Sequence, residues 1–284
     1  MRGLKIIKNG VLFTIALFFL FSGAEFSAAS TEADNPALVP LPSVFDFTRG
    51  KGWGIAIGVG VEYESAYDGS DEYELEIEPA GAIQYRFDNH LFFWEGFELG
   101  WRSRMADKWL FQLNARYERG RESSDSDDGN LDGLDDQDDE IVGVGELRRS
   151  IYGNWRAWIG SRVMAGDSDF GALGIIAAGY RFGSGIDGTG TELSLFSTFG
   201  TSDFINRDFG VTEDESRSSG LSEKDYDGGY RSSGISLISR YYLINHFQLI
   251  AQAGFELYSS RIQDSPIARE DFEAEAGLSI VYHF

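Results

Sequence analysis

The chain has 284 residues, no cysteine, and a formal net charge of −22 from 46 acidic against 24 basic residues. Backbone pairing and burial must hold it without disulfides, and so negative a chain is a poor partner for nucleic acid. A mean hydropathy of −0.24, with no apolar stretch beyond the first thirty residues as long as a membrane-spanning helix, excludes a helical membrane protein.

In chain order, Arg2, Lys5 and Lys8 precede a short apolar run, Val11 to Phe21, and then the small residues Ser27-Ala28-Ala29-Ser30. A basic start, a short apolar core and a small-residue exit predict a cleaved signal peptide over residues 1–29. Residues 30–52, with Pro36, Pro40 and Pro42, have no periodicity and form a periplasmic lead-in. Strict alternation begins at Trp53: Trp53, Ile55, Ile57, Val59, Val61 and Tyr63 share one face, and Gly58, Gly60, Glu62 and Glu64 the other. A period of two is that of a strand with one apolar and one polar or small face.

The next run is long for a soluble sandwich. Tyr73, Leu75, Ile77, Ile83, Tyr85 and Phe87 alternate with Glu74, Glu76, Glu78, Gln84 and Arg86. Alternation over about fifteen residues is enough to cross a bilayer at a tilt. Similar runs follow at 91–101, 109–117, 141–151, 155–165, 172–182, 191–200, 230–242 and 247–257, with aromatics gathered at their ends, as interface girdles require. The final run places Phe272, Ala274, Ala276, Leu278, Ile280, Tyr282 and Phe284 on one face and Glu273, Glu275, Ser279 and His283 on the other. Tyr282 and the closing Phe284 resemble the signal that barrel-insertion machinery reads.

Lipid forbids an unpaired sheet edge, so the strands must close. The sequence therefore predicts an all-β fold, a closed antiparallel transmembrane β-barrel over 53–284. Eleven runs are legible, and even strand numbers are the rule. Twelve strands is the expected number and ten the alternative, with a strand concealed near 91–101 or after Gly200. Short connections such as Gly153-Asn154 and Asn245-His246 alternate with long acidic ones at 119–140, 201–229 and 258–271, the periplasmic and outer sides of such a barrel. The expected location is the Gram-negative outer membrane, among its lipid and lipopolysaccharide.

Three segments carry a family resemblance. Tyr67-Asp68-Gly69-Ser70-Asp71 follows the first strand. Phe209-Gly210-Val211-Thr212, Ser219-Gly220-Leu221 and Tyr226-Asp227 fill a long loop. Asp264-Ser265-Pro266-Ile267 precedes the last strand and its Tyr282-His283-Phe284 end. In this order and spacing the chain resembles the MipA/OmpV family of outer-membrane proteins over essentially all of its mature length. The resemblance implies a non-enzymatic barrel. Members are described as scaffolds joining a periplasmic murein hydrolase, a transglycosylase, to a penicillin-binding murein synthase, and others as porin-like or adhesive. It supplies no catalytic residues and does not choose among these roles.

Two residue sets invite chemistry. Asp128, Asn130, Asp132 and Asp139 fall at ligand positions one, three, five and twelve of a calcium loop, with Gly133 at the turn. Yet position twelve carries Asp rather than Glu and no helical pattern flanks the loop, so a solvated acidic outer loop is the competing reading; no other cofactor is expected. The inward row Glu74, Glu76 and Glu78 could line a cation-preferring pore. Arg86, Arg116 and Arg162 face inward as well, with Arg148 and Arg240, and opposite charges could instead knit into a plug. The three histidines, His90, His246 and His283, sit by turns or at the chain end, poor positions for a catalytic base.

Overall fold

The computed structural model describes residues 51–106, 108–126, 129–153, 155–182, 190–244 and 246–284. The expected signal peptide and almost all of the lead-in lie outside them. The described residues form twelve strands: β1 (Gly52–Ser65), β2 (Tyr73–Phe87), β3 (His90–Glu95), β4 (Glu98–Met105), β5 (Trp109–Glu118), β6 (Glu140–Tyr152), β7 (Ala157–Ala165), β8 (Ala172–Phe182), β9 (Gly190–Gly200), β10 (Gly229–Ile244), β11 (Phe247–Tyr258) and β12 (Phe272–His283). Every strand pairs antiparallel with its chain neighbours, and β12 pairs with β1 to close the barrel. No helix among these residues is long and apolar enough to cross a membrane, which says nothing against crossing by strands.

The twelfth strand comes from the run at 91–101, which splits at Gly96-Phe97 into β3 and β4. Gly96 supplies the positive φ of 51° that the tight turn needs. Alternation did not reveal the break because Leu91, Phe92, Phe93 and Trp94 are apolar on both faces.

Side-chain orientation follows the period of two. Trp53, Leu75, Ile77 and Ile141 point outward and are at least 69% exposed, which is affordable only against lipid. Aromatic pairs ring both ends of this apolar band. At the end holding the short turns stand Trp53–Tyr85, Tyr180–Phe182, Phe247–Tyr282 and Tyr282–Phe284. At the end holding the long loops stand Tyr63–Tyr73, Phe97–Tyr117, Phe199–Tyr230 and Phe255–Phe272. Trp53 and Tyr63 lie ten residues apart on β1, so the girdles are separated by about 25 Å at the usual rise and tilt.

The long loops are not loose. The 201–228 loop contains helix α1 (Ser202–Phe209) and helix α2 (Glu213–Ser219), and 259–271 contains the single turn α3 (Ser260–Gln263). Thr201 caps α1, and Thr212 with Glu215 forms a reciprocal capping box at α2. Leu131, Ile205, Phe209, Ile262 and Ile267, all loop residues, have no exposed surface. They form two small cores, one of Tyr67, Leu131, Leu134, Val211 and Ile267, the other of Ile205, Phe209, Tyr226, Tyr258 and Ile262. The loop end is therefore roofed by a packed cap.

Candidate functional site

The inward row of each strand builds the interior. On the wall from β6 to β9, Val142, Val144, Trp158, Met164, Leu173, Ile175 and Phe196 pack with Phe170 and Phe204, two rings that the loops contribute. On the opposite wall near the turn end, Ala56, Ala80, Ala82, Ile250 and Val281 form a second cluster. Between them run ion pairs. Arg162 on β7 donates to Glu98 on β4 at 3.0 Å, and Arg116 lies 2.7 Å from Glu118 and 3.8 Å from Glu98. Arg181 meets Glu192 at 2.8 Å, and Glu192 also accepts from the Trp158 indole at 2.9 Å. Arg148 pairs with Glu146 and stacks over Trp158 at 4.4 Å. Arg102 donates to Gln112 at 2.7 Å, and Gln112 to Asn114 at 2.9 Å. Arg86, Arg116 and Arg162 are each less than 5% exposed.

Charge is divided between the walls. The arginines just named, Arg86 apart, stand on β4 to β8, whereas Glu62, Glu64, Glu74, Glu76, Glu78, Glu256, Glu273 and Glu275 occupy β1, β2, β11 and β12. Above the acidic wall a cavity of about 210 Å³ opens beneath the cap. Glu64, Asp68, Glu74, Glu76, Glu118 and Glu273 line it, facing Arg121 and Arg207.

One residue ties the cap to the wall. Arg231 occupies a bulge where β10 slips against β9, is fully buried, and pairs with Glu256 at 2.5 Å and with Asp68 of the first loop. Its guanidinium lies 5.3 Å from the Phe209 ring and 5.2 Å from that of Tyr258. A bulge shifts the inside–outside parity by one residue, so Arg231 and Ser232 are buried in succession and a reading that assumes unbroken alternation misses the residue. Beside it, burial and the Asp68 charge push the Asp208 carboxyl up to about 7 against the pull of Arg231, Arg207 and Arg121.

The expected calcium ligands have separate engagements. Asn130 is buried and donates to the Tyr67 hydroxyl at 2.6 Å and the Ile267 carbonyl at 2.8 Å, bracing three loops. Asp139 accepts from the Tyr117 hydroxyl at 2.5 Å and the Gly120 amide at 3.0 Å, bonds that hold its carboxyl below the usual range. Asp132 is exposed, and Asp128 lies outside the described residues. The loop is also less solvated than its composition suggests, because Leu131 and Leu134 anchor it in the cap. Glu74, Glu76 and Glu78 stand on the inward face at the loop end of β2. Tyr282 and Phe284 complete the turn-end girdle, where the Phe284 amide donates to the Ile55 carbonyl at 3.1 Å.

Comparison with known proteins places the chain among envelope proteins. The family profile described as MltA-interacting protein MipA matches residues 57–284. YiaT of Escherichia coli K12, which carries the name of an outer membrane protein, is 27% identical over 252 residues, 86% of this chain and 96% of that protein. The YiaT of Escherichia coli O157:H7 matches to the same extent. Among solved structures, the Pseudomonas putida toluene transporter TodX aligns over 92% of this chain and 95% of its own at 9% identity and a TM-score of 0.41. The Ralstonia pickettii toluene transporter TbuX aligns over 83% and 90% at 10% identity and a TM-score of 0.39. These similarities concern chain path alone.

Proposed function

The chain belongs to the MipA family, the MltA-interacting protein family, and from that premise we propose that it is a plugged outer-membrane barrel that works as a scaffold for a periplasmic murein enzyme. The supporting observation is the interior itself. Two apolar clusters and a lattice of arginine–carboxylate pairs occupy the lumen, and the loops seal the outer end. Barrels of about this size have little interior to spare once inward side chains are large. A barrel filled in this way acts through its ends. At the turn end, on the periplasmic side in this class of barrel, Lys108, Arg149 and Arg156 are exposed and Lys51 is paired with the exposed Asp88 at 2.5 Å, which leaves a net basic rim among the described residues, suited to an acidic partner surface.

A second reading rests on the acidic cavity beneath the cap, which would favour cations in a narrow path. One paired experiment separates the two. Refolded barrel in a planar bilayer is expected to show no discrete current steps, and the same preparation in lipid nanodiscs to bind a purified MltA-type transglycosylase. Cation-selective steps, weakened by replacing Glu74, Glu76 and Glu78 with Gln, together with no binding of the transglycosylase, would establish the channel and discard the scaffold.

A further inference from the structure

We infer that the barrel holds a structural calcium ion inside its lumen, bound by Glu62, Glu64 and Glu275. Glu62 and Glu64 project inward from β1 and Glu275 from β12, and one carboxylate oxygen from each lies within 4.8 Å of the others. The register explains the meeting. Val61 pairs with Leu278 and Glu62 with Gly277 across the closing seam, so the inward acids of the two strands fall side by side.

Crowding of acids alone would not define a site. The second observation is Glu275 itself. It is 6% exposed, and its Oε2 has no hydrogen-bond partner among the described residues. The charges that act on it most strongly are four more carboxylates, Glu62, Glu273, Glu64 and Glu256. The arginines of the opposite wall are engaged with other acids, and Arg231 is held by Glu256 and Asp68. A buried carboxylate aimed into a group of like charges calls for a cation.

The donor set selects its chemistry. Three carboxylates with no nitrogen or sulfur ligand suit a hard cation, and calcium tolerates irregular oxygen geometry where magnesium demands an octahedron. Gln252 steadies one of the three: its amide nitrogen donates to Glu62 at 2.7 Å, and its side chain reaches across because Gly277 has none, since a Cβ there would meet Gln252 Cγ at 2.9 Å. The cluster is also continuous with the acidic cavity under the cap, since Glu64 lines both.

This inference stands whether or not the barrel is a scaffold. The test is calorimetric titration of calcium into the refolded, chelator-stripped barrel, with folding verified by heat-dependent gel mobility. The wild type should take up one tightly bound calcium and unfold at a higher temperature with it. Glu275→Gln should weaken that binding by about tenfold or more, as expected when a charged ligand is lost, and at equal calcium concentration should gain less in unfolding temperature than the wild type. Asp132→Asn in the outer loop should leave the isotherm unchanged. Should Glu275→Gln fail to fold, Glu62→Gln is read by the same criteria. A wild-type barrel that binds no calcium, a Glu275→Gln isotherm superimposable on the wild type, or tighter binding of magnesium than of calcium would each overturn the assignment.

Discussion

Arg162 has 1% of its side chain exposed and spans the lumen from β7 to Glu98 on β4. Removing one partner of such a pair leaves a buried charge uncompensated, typically costing about 3–5 kcal/mol. Arg116, 3.8 Å from Glu98, would compensate in part, so Arg162→Ala should cost about 3 kcal/mol in urea unfolding of the refolded barrel. The double change Arg162→Met with Glu98→Gln should cost clearly less than the single one. Asp208 gives a prediction in pH. Its carboxyl ordinarily titrates at 3.8 and is raised to about 7 in the folded cap, so the folded state binds the extra proton between those values. Its contribution to cap stability is therefore greatest at acid pH and is lost as pH rises through 7. Amide exchange in α1, corrected for the intrinsic effect of pH, should become up to about a hundredfold less protected from pH 5 to pH 8, about 2.7 kcal/mol. Asp208→Asn should flatten that change. At this scale parity places Arg86, Arg116, Arg148, Arg162 and Arg240 inward, where they are buried, but it does not find Arg231 on its bulge. It could not show their partners, since Arg162 and Glu98 meet only across a closed barrel.

Strands were the most legible elements, because a lipid-facing row must stay apolar along its whole length while the lumen row need not. Where both rows are apolar, as at 91–94, the pattern loses its contrast and β3 and β4 read as one run. The helices of the 201–228 loop were concealed differently. Asp, Ser and Gly in abundance resemble solvated loop, although Thr212-Glu213-Asp214-Glu215 is a capping box in plain sequence. The carboxylate cluster at the seam required the pairing register of β1 with β12, which no single strand encodes. That same register constrains β1. A Cβ at Gly58 would lie 2.3 Å from the Ile280 carbonyl oxygen and 2.8 Å from Val281 Cγ2. Gly58→Ala should therefore push the seam apart and destabilise the barrel by about 1–3 kcal/mol, within the usual cost of overpacking. Urea unfolding measures this directly, and an unchanged midpoint would show that the seam yields freely.

Across the whole molecule the two ends differ in charge. Glu122, Asp132, Asp135, Asp136, Asp167, Glu213 and Asp214 are exposed at the loop end, while Lys108, Arg149 and Arg156 are exposed at the turn end, where Lys51 pairs with Asp88. An acidic surface raises the local concentration of cations and a basic one that of anions, so the two ends present opposite potentials to whatever approaches them. Composition reported the net sign but not this separation, because loops and turns alternate along the chain. The seam has one further consequence, and it concerns assembly. Among the described residues β12 is the strand that completes β1 on the side β2 leaves open, with the Phe284 amide reaching back to the Ile55 carbonyl. Without it the other eleven strands are a ribbon with two raw edges, able to pair with a stranger but not with itself. No partial set of these strands can satisfy its own backbone in lipid, so the docking of β12 onto β1 is the step that fixes the whole barrel.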